Sequence, residues 1–278
     1  MSLGKLMNKS FLTRTISGFL LCVIIAVTAI IGGDILYGAV FAIALAGLYE
    51  LYRVAGMEKT PLGAVGYIGA IAYYIIIRFA EGNHFPELAV LLLIGVMAVY
   101  VFTFPKYSVD KVLMAYFGVM YVPVMMSYMY LVRSYNDDGV YTFWLIFVSS
   151  WACDTCAYLA GVVLGKHKMT PVLSPKKTIE GAIGGVIGAA VIGAVYGICI
   201  GGKLSSIDKG MAPALFAAIG AIGGLISMIG DLCASAIKRN YDIKDYGKLI
   251  PGHGGIMDRF DSVIITAPLI YYLIVYFA

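Results

Sequence analysis

The chain has 278 residues, of which 61% are hydrophobic and 13% charged, and its mean hydropathy is +0.89. Soluble domains run near half apolar and a quarter charged, so this composition excludes an ordinary soluble enzyme and a disordered chain, and apolar residues arriving in blocks rather than in alternation argue against a transmembrane β-barrel. The formal net charge of +4, from 20 Lys and Arg against 16 Asp and Glu, is too mild for a nucleic-acid binder, and no basic stretch interleaved with aromatics occurs.

A membrane-spanning helix needs about 20 mostly apolar residues. Nine such stretches follow one another at 15–33, 35–54, 62–77, 88–104, 112–132, 140–164, 179–201, 211–230 and 262–278. The expected fold is therefore an all-α, polytopic integral membrane protein with nine transmembrane helices. Lys5, Lys9 and Arg14 ahead of the first stretch imitate a secretory signal, but the later spans favour a retained first helix. The second methionine, Met7, suggests that the first residues are a leader. With the N-terminus in the cytoplasm and nine crossings, only Arg78, Arg133, Lys203 and Lys209 of the 20 Lys and Arg lie on the far side. Cytoplasmic loops are enriched in Lys and Arg in this way, so the C-terminus is expected outside.

Up to residue 139 the loops are short and chemically plain, and this part (1–139) reads as a scaffold. The remainder (140–278) reads as a catalytic region with two polar cytoplasmic segments, 165–178 and 231–261. Glu50, three residues before Arg53 at the end of its span, reads as a helix-end charge pair. Asp154 lies ten residues before the end of the sixth span, about 15 Å along a helix; a carboxylate at that depth is costly and marks a functional position by default. Cys153 and Cys156 form a C-x-x-C inside the same apolar block, where half a zinc site is less expected than small buried thiols. The five cysteines show no disulfide framework.

In the segment after Gly165, Lys166, His167, Lys168, Lys176 and Lys177 surround Pro175, and Thr178 or Ser174 is placed to cap the next helix. Such a loop binds either anionic lipid or a phosphate at the helix entry. Glycines crowd the seventh and eighth spans, where small residues let helices approach closely. Beyond them Asp231, Ser235, Lys238 and Asp242 recur at helical spacing as one polar stripe beside Arg239; alone, this equally describes an amphipathic helix lying on headgroups.

Lys244, Asp245 and Lys248 then lead into Pro251-Gly252-His253-Gly254-Gly255-Ile256-Met257-Asp258-Arg259-Phe260-Asp261. Glycines allow positive φ and close approach to a ligand, and successive amides such as those of Gly254 and Gly255 are able to form an anion-binding concavity. Asp258 and Asp261 share a helix face. A glycine loop, paired carboxylates and surplus cations are what a metal–nucleotide phosphate site requires, with Mg²⁺ held by one or two carboxylates plus substrate phosphates.

Ser235-x-x-Lys238-Arg239-x4-Lys244-Asp245 followed by Pro251-x-His253-Gly254-Gly255-x-x-Asp258-Arg259-x-Asp261 resembles the signature of the phosphatidate cytidylyltransferases (CDP-diacylglycerol synthases). Asp154-Thr155-x-Ala157-Tyr158-x-x-Gly161-x3-Gly165-Lys166 and Ser174-Pro175-Lys176-Lys177-Thr178-x-Glu180-Gly181 resemble that family's second shared region. Together they cover about a fifth of the chain; the first half resembles the family only as a set of apolar spans.

The resemblance implies that CTP and phosphatidic acid react to give CDP-diacylglycerol and pyrophosphate, at a site open to the cytoplasm and to lipid, in an inner membrane if the source is bacterial, and in a homodimer. On that footing Asp231 and Asp258 are the first choice as ligands of Mg²⁺ or of two metal ions, supported by Asp261 and Asp154. Lys238, Arg239, Lys244, Lys248, Lys176, Lys177, Lys166 and Arg259 are expected to neutralise phosphates, and Ser235, His253, Gly254 and Gly255 to hydrogen-bond them. Three rivals stay open at this point: a transporter of an anionic solute, a membrane transferase using another nucleotide-linked or polyprenyl-phosphate substrate, and a silent lipid-binding scaffold.

Overall fold

The computed structural model describes residues 9–80 and 84–277; Lys5, Met7 and Ala278 lie outside the described residues. Helices α1 (Lys9–Ile31), α2 (Gly33–Val54), α3 (Pro61–Phe79) and α4 (Phe85–Thr103) make four spans. The fifth is α5 (Val109–Val119), a π-turn at Met120–Val124 and α6 (Met125–Ser134). Pro123 sits in that turn, and a proline that lacks an amide and crowds the preceding carbonyl is accommodated by widening the helix. The sixth joins α7 (Gly139–Thr142), α8 (Trp144–Phe147), a π-turn at Val148–Ala152 and α9 (Cys153–Leu164). A small antiparallel hairpin, β1 (Lys168–Thr170) with β2 (Ser174–Thr178), adds two strands to the expected all-α chain. Three long helices complete it: α10 (Ile179–Ile200), α11 (Ala212–Asn240) and α12 (Met257–Phe277). Among the described residues nine helical segments are long and apolar enough to cross a membrane, as expected.

Two boundaries differ from expectation. Helix α11 runs ten residues past the end of its apolar stretch, and α12 starts at Met257 rather than at 262. The non-helical part of the second polar segment is therefore 241–256, not 231–261. The helix persists because the backbone ladder continues wherever no Gly or Pro interrupts it, and residues 231–240 contain neither. Asp242 falls beyond the helix with φ 51°, off the expected stripe.

The chain's contacts form two units that interleave along the sequence. The first comprises residues up to Leu20, Gly38–Ser127 and Asp245–Asp258, so the glycine–histidine loop packs with the first helices despite its place near the C-terminus. Its interior holds Tyr52, Leu48, Leu51 and Leu62, fully buried. Gly66 and Gly118 are glycine because a methyl group at either would meet the Tyr52 ring. Thr60 caps α3 by accepting the Gly63 amide at 3.2 Å, with Pro61 in the first turn.

The second unit comprises Leu21–Tyr37, Tyr128–Lys244 and Arg259–Ala278. Here α9, α10 and α11 approach to backbone contact. A methyl at Gly184 would meet Ala160, one at Gly188 would meet Cys156, and those at Gly193 and Gly220 would meet the carbonyls of Phe216 and Ala189. Cys153 packs against Gly185 and Gly224 in this seam, as a small buried residue. Close backbone approach is the main source of helix association in lipid, where no hydrophobic drive exists between apolar faces. Arg133 donates from Nε to the Ala29 carbonyl at 2.8 Å, satisfying the end of α1.

Asp138 precedes α7 and is buried, 2% exposed. Its carboxylate accepts the amides of Ser205 (2.8 Å) and Ser206 (2.7 Å) and the Ser205 hydroxyl (2.9 Å). Burial raises its pKa, but these hydrogen bonds outweigh burial and hold it below the usual 3.8. A carboxylate depressed on folding contributes stability above its unfolded pKa and loses it as pH falls through the folded value. Asp138→Ala is therefore expected to lower the unfolding temperature at pH 7, by the equivalent of roughly 1–3 kcal/mol. The gap to wild type should close below pH 3.8 in thermal unfolding scans of detergent-purified protein. Gly220→Val should force α10 from α11 and destabilise by roughly 1–3 kcal/mol in the same assay.

Candidate active site

In the second unit, three helices and the hairpin bring charged residues together. The π-turn at Val148–Ala152 immediately precedes Cys153 and Asp154 and rotates the start of α9 relative to the helix before it. Gly230 lets α11 lie against the backbone of Asp261 and Ser262 on α12, so Asp231 begins a polar face beside Asp261. The Asp154 carboxylate accepts the Ser262 hydroxyl and lies within electrostatic reach of Asp231 and Lys177. Asp261 is repelled by Asp231 and Asp154 and attracted by Lys238. Lys177, at the end of β2, places its ammonium 2.5 Å from Asp231 Oδ2. Ser235 Oγ is 3.4 Å from Asp231 Oδ1.

The hairpin that carries Lys177 is anchored at both ends. Thr178 caps α10 by accepting the Gly181 amide at 3.1 Å. Glu180 accepts the amides of Lys166 (3.0 Å) and His167 (3.2 Å), and His167 Nδ1 lies 2.6 Å from its other oxygen. Lys166 is exposed just ahead of the hairpin and Lys176 on it, and Arg239 and Lys244 are exposed at and after the end of α11. Arg259, in the first turn of α12, keeps its Nε buried with no hydrogen-bond partner among the described residues.

Among Asp154, Asp231, Asp261, Lys177 and Lys238 the carboxyl groups outnumber the ammonium groups by one. The Lys177 ammonium is buried and makes no hydrogen bond among the described residues apart from its ion pair. Among those residues no three Asp, Glu, His or Cys side chains are already gathered as a ready ligand set. The donor chemistry nevertheless fits a hard divalent cation, because Mg²⁺ takes one or two carboxylates and completes its shell with water and phosphate oxygens.

The glycine–histidine loop, in the first unit, is organised by Asp258. This carboxylate is 7% exposed, and its Oδ2 accepts the amides of Tyr246 (2.8 Å) and Gly255 (3.0 Å). An isolated bridge pairs Ile250 with Gly254, and the His253 amide donates to the Ile250 carbonyl. Gly252 and Gly254 take φ of 77° and 90°, which only glycine adopts without strain. Of the two amides expected to form an anion concavity, that of Gly255 already has an acceptor in Asp258, and the neighbouring His253 amide has one in the Ile250 carbonyl. Asp258, expected as a ligand, has one oxygen tied to the loop backbone. Lys248 is exposed in this loop.

His253 has a partner that spacing could not reveal. Ser17 on α1 places Oγ 2.9 Å from His253 Nδ1 and 2.9 Å from the Pro251 carbonyl. Glu50, read as a helix-end charge, is 4% exposed and accepts the Met257 amide at 3.0 Å.

Residues 12–277 match the Cytidylyltransferase family. The chain is 32% identical to a phosphatidate cytidylyltransferase of Staphylococcus haemolyticus (strain JCSC1435), over 94% of this chain and 98% of the relative. It is 27% identical to one of Bacillus subtilis (strain 168), over 95% and 98%, and 30% identical to one of Staphylococcus aureus (strain COL), over 94% and 98%.

Because Asp258 closes the loop, Asp258→Ala is expected to raise hydrogen–deuterium exchange at the Tyr246 and Gly255 amides by at least about tenfold, the loss of one hydrogen bond of roughly 1–3 kcal/mol. Asp258→Asn, which keeps an acceptor, should leave exchange closer to wild type.

Proposed function

The chain belongs to the cytidylyltransferase family, an enzyme family whose phosphatidate members join CTP and phosphatidic acid into CDP-diacylglycerol, and we propose that it performs this reaction by direct transfer. A phosphatidate oxygen forms a bond to the α-phosphorus of CTP as the bond to the β-phosphate oxygen breaks, releasing pyrophosphate. Phosphate is already nucleophilic, so no covalent enzyme intermediate is needed, and catalysis reduces to positioning and charge neutralisation.

The observation that carries this reading is the cluster of Asp154, Asp231 and Asp261 around Lys177 and Lys238. The carboxylates of Asp231, Asp261 and Asp154 would hold Mg²⁺, which would supply positive charge to the triphosphate. Lys177 and Lys238 stand beside them, and Arg259 has a buried donor open to a phosphate oxygen. Lys166, Lys176, Arg239 and Lys244 are exposed cations suited to attracting the anionic substrates. Lys248 and His253, in the loop of the first unit, are proposed phosphate contacts in their own right, and Ser17 lies 2.9 Å from His253 Nδ1. Ser235 orients Asp231. The Lys and Arg asymmetry supports a site facing the cytoplasm.

Purified protein with labelled CTP, phosphatidic acid and Mg²⁺ is expected to transfer label into lipid with release of pyrophosphate, and to stop when the divalent ion is chelated. Asp231→Ala should reduce kcat by roughly 10²–10³-fold with folding retained, whereas Asp258→Asn should cost far less. Flux of intact CTP without lipid labelling would instead indicate transport.

A further inference from the structure

We propose that Glu50, together with Arg53 one turn later on α2, is a positioning residue that fixes the glycine–histidine loop by capping α12 from a different helix. This deepens the nucleotidyl-transfer reading and rests on it for its catalytic consequence.

The first amides of a helix have no partner within it and are usually satisfied by a local Ser, Thr, Asp or Asn. Helix α12 starts at Met257 directly after Ile256, and neither residue offers a side-chain oxygen. The cap comes instead from 207 residues away: Glu50 Oε2 accepts the Met257 amide at 3.0 Å, and the Ile256 amide is also directed to this carboxylate. Arg53 Nη2 donates to the Tyr246 carbonyl at 2.6 Å. Both ends of the loop, 246 and 257, are thereby tied to one face of α2, since residues three apart are neighbours on a helix.

The fit is close enough to dictate composition. A methyl at Gly247 would collide with Glu50 Oε1, and one at Gly255 with both carboxylate oxygens. Asp258 then links the Tyr246 and Gly255 amides between the two anchors. His253 stands in the span so framed. A carboxylate buried within a membrane-spanning helix is costly, and its two amide partners are what satisfies it.

The test compares Glu50→Leu, Glu50→Gln and Gly247→Ala in the full-length protein. Glu50→Leu removes the acceptor, Glu50→Gln keeps one, and Gly247→Ala sets a methyl against the unaltered Glu50 carboxylate and the Gly255 backbone. Three quantities are read: thermal unfolding, amide exchange across 246–257, and kcat against KM for CTP. Glu50→Leu and Gly247→Ala should raise loop exchange at least tenfold and lower kcat roughly 10²-fold, the usual scale for lost support of a reacting group. KM should stay within about threefold, and Glu50→Gln should restore most of both signals.

Wild-type turnover and loop protection in Glu50→Leu overturn the proposal, as does loss in Glu50→Gln equal to that in Glu50→Leu. If Glu50→Leu fails to fold, Gly247→Ala carries the test alone. A wild-type protein that makes no CDP-diacylglycerol defeats the functional reading, while the exchange data still decide whether Glu50 holds the loop.

Discussion

The approach of α9, α10 and α11 to backbone contact is the constraint from which the charged site follows. Carboxylates within membrane spans need partners on neighbouring elements, and side chains as short as Asp reach one another only when backbones are close. Glycine supplies that closeness along the seam, at Gly184 and Gly188 toward α9 and at Gly193 and Gly220 toward or from α11. Gly230 repeats the device between α11 and α12 at the level of Asp231 and Asp261. A wider seam would leave three separate acids in lipid; the narrow one makes a single cluster with Lys177 and Lys238.

The two signature segments solve different problems. Around Asp231 the difficulty is electrostatic, and the answer is a mixed set of three acids and two ammoniums that offset one another. Around His253 the difficulty is conformational. A loop with four glycines has high chain entropy, and it is held by Asp258 on its own backbone and by helices contributed from the start of the chain. Rigid support of this kind lets a flexible sequence present a histidine in one orientation.

Much of the fold was legible because lipid admits only helices of a certain length and polarity, and the nine spans follow from that rule. The end of α11 was not, since hydropathy stops at 230 while backbone hydrogen bonding continues to Asn240. Helical spacing grouped Asp231, Ser235 and Lys238 correctly but also included Asp242, which lies beyond the helix. The hold of Asp258 on the loop was not legible, because its partners are backbone amides that leave no mark in the side-chain pattern. Ser17 and Glu50 were illegible as loop partners for a related reason: their contacts join residues 236 and 207 apart. The added hairpin hid in a segment whose Pro175 signalled only the absence of a helix.

The long sequence separation between Glu50 and its amide has a consequence for biosynthesis. Chains are made at roughly 5–20 residues per second, so α2 emerges roughly 10–40 s before Met257 exists. Throughout that interval the nascent second helix carries an acidic group whose eventual partner has not been translated. Water at the membrane surface or the nearby Arg53 must solvate it meanwhile. The contact between Glu50 and the Met257 amide is thus a late event in assembly, formed only once the start of the last helix has been made.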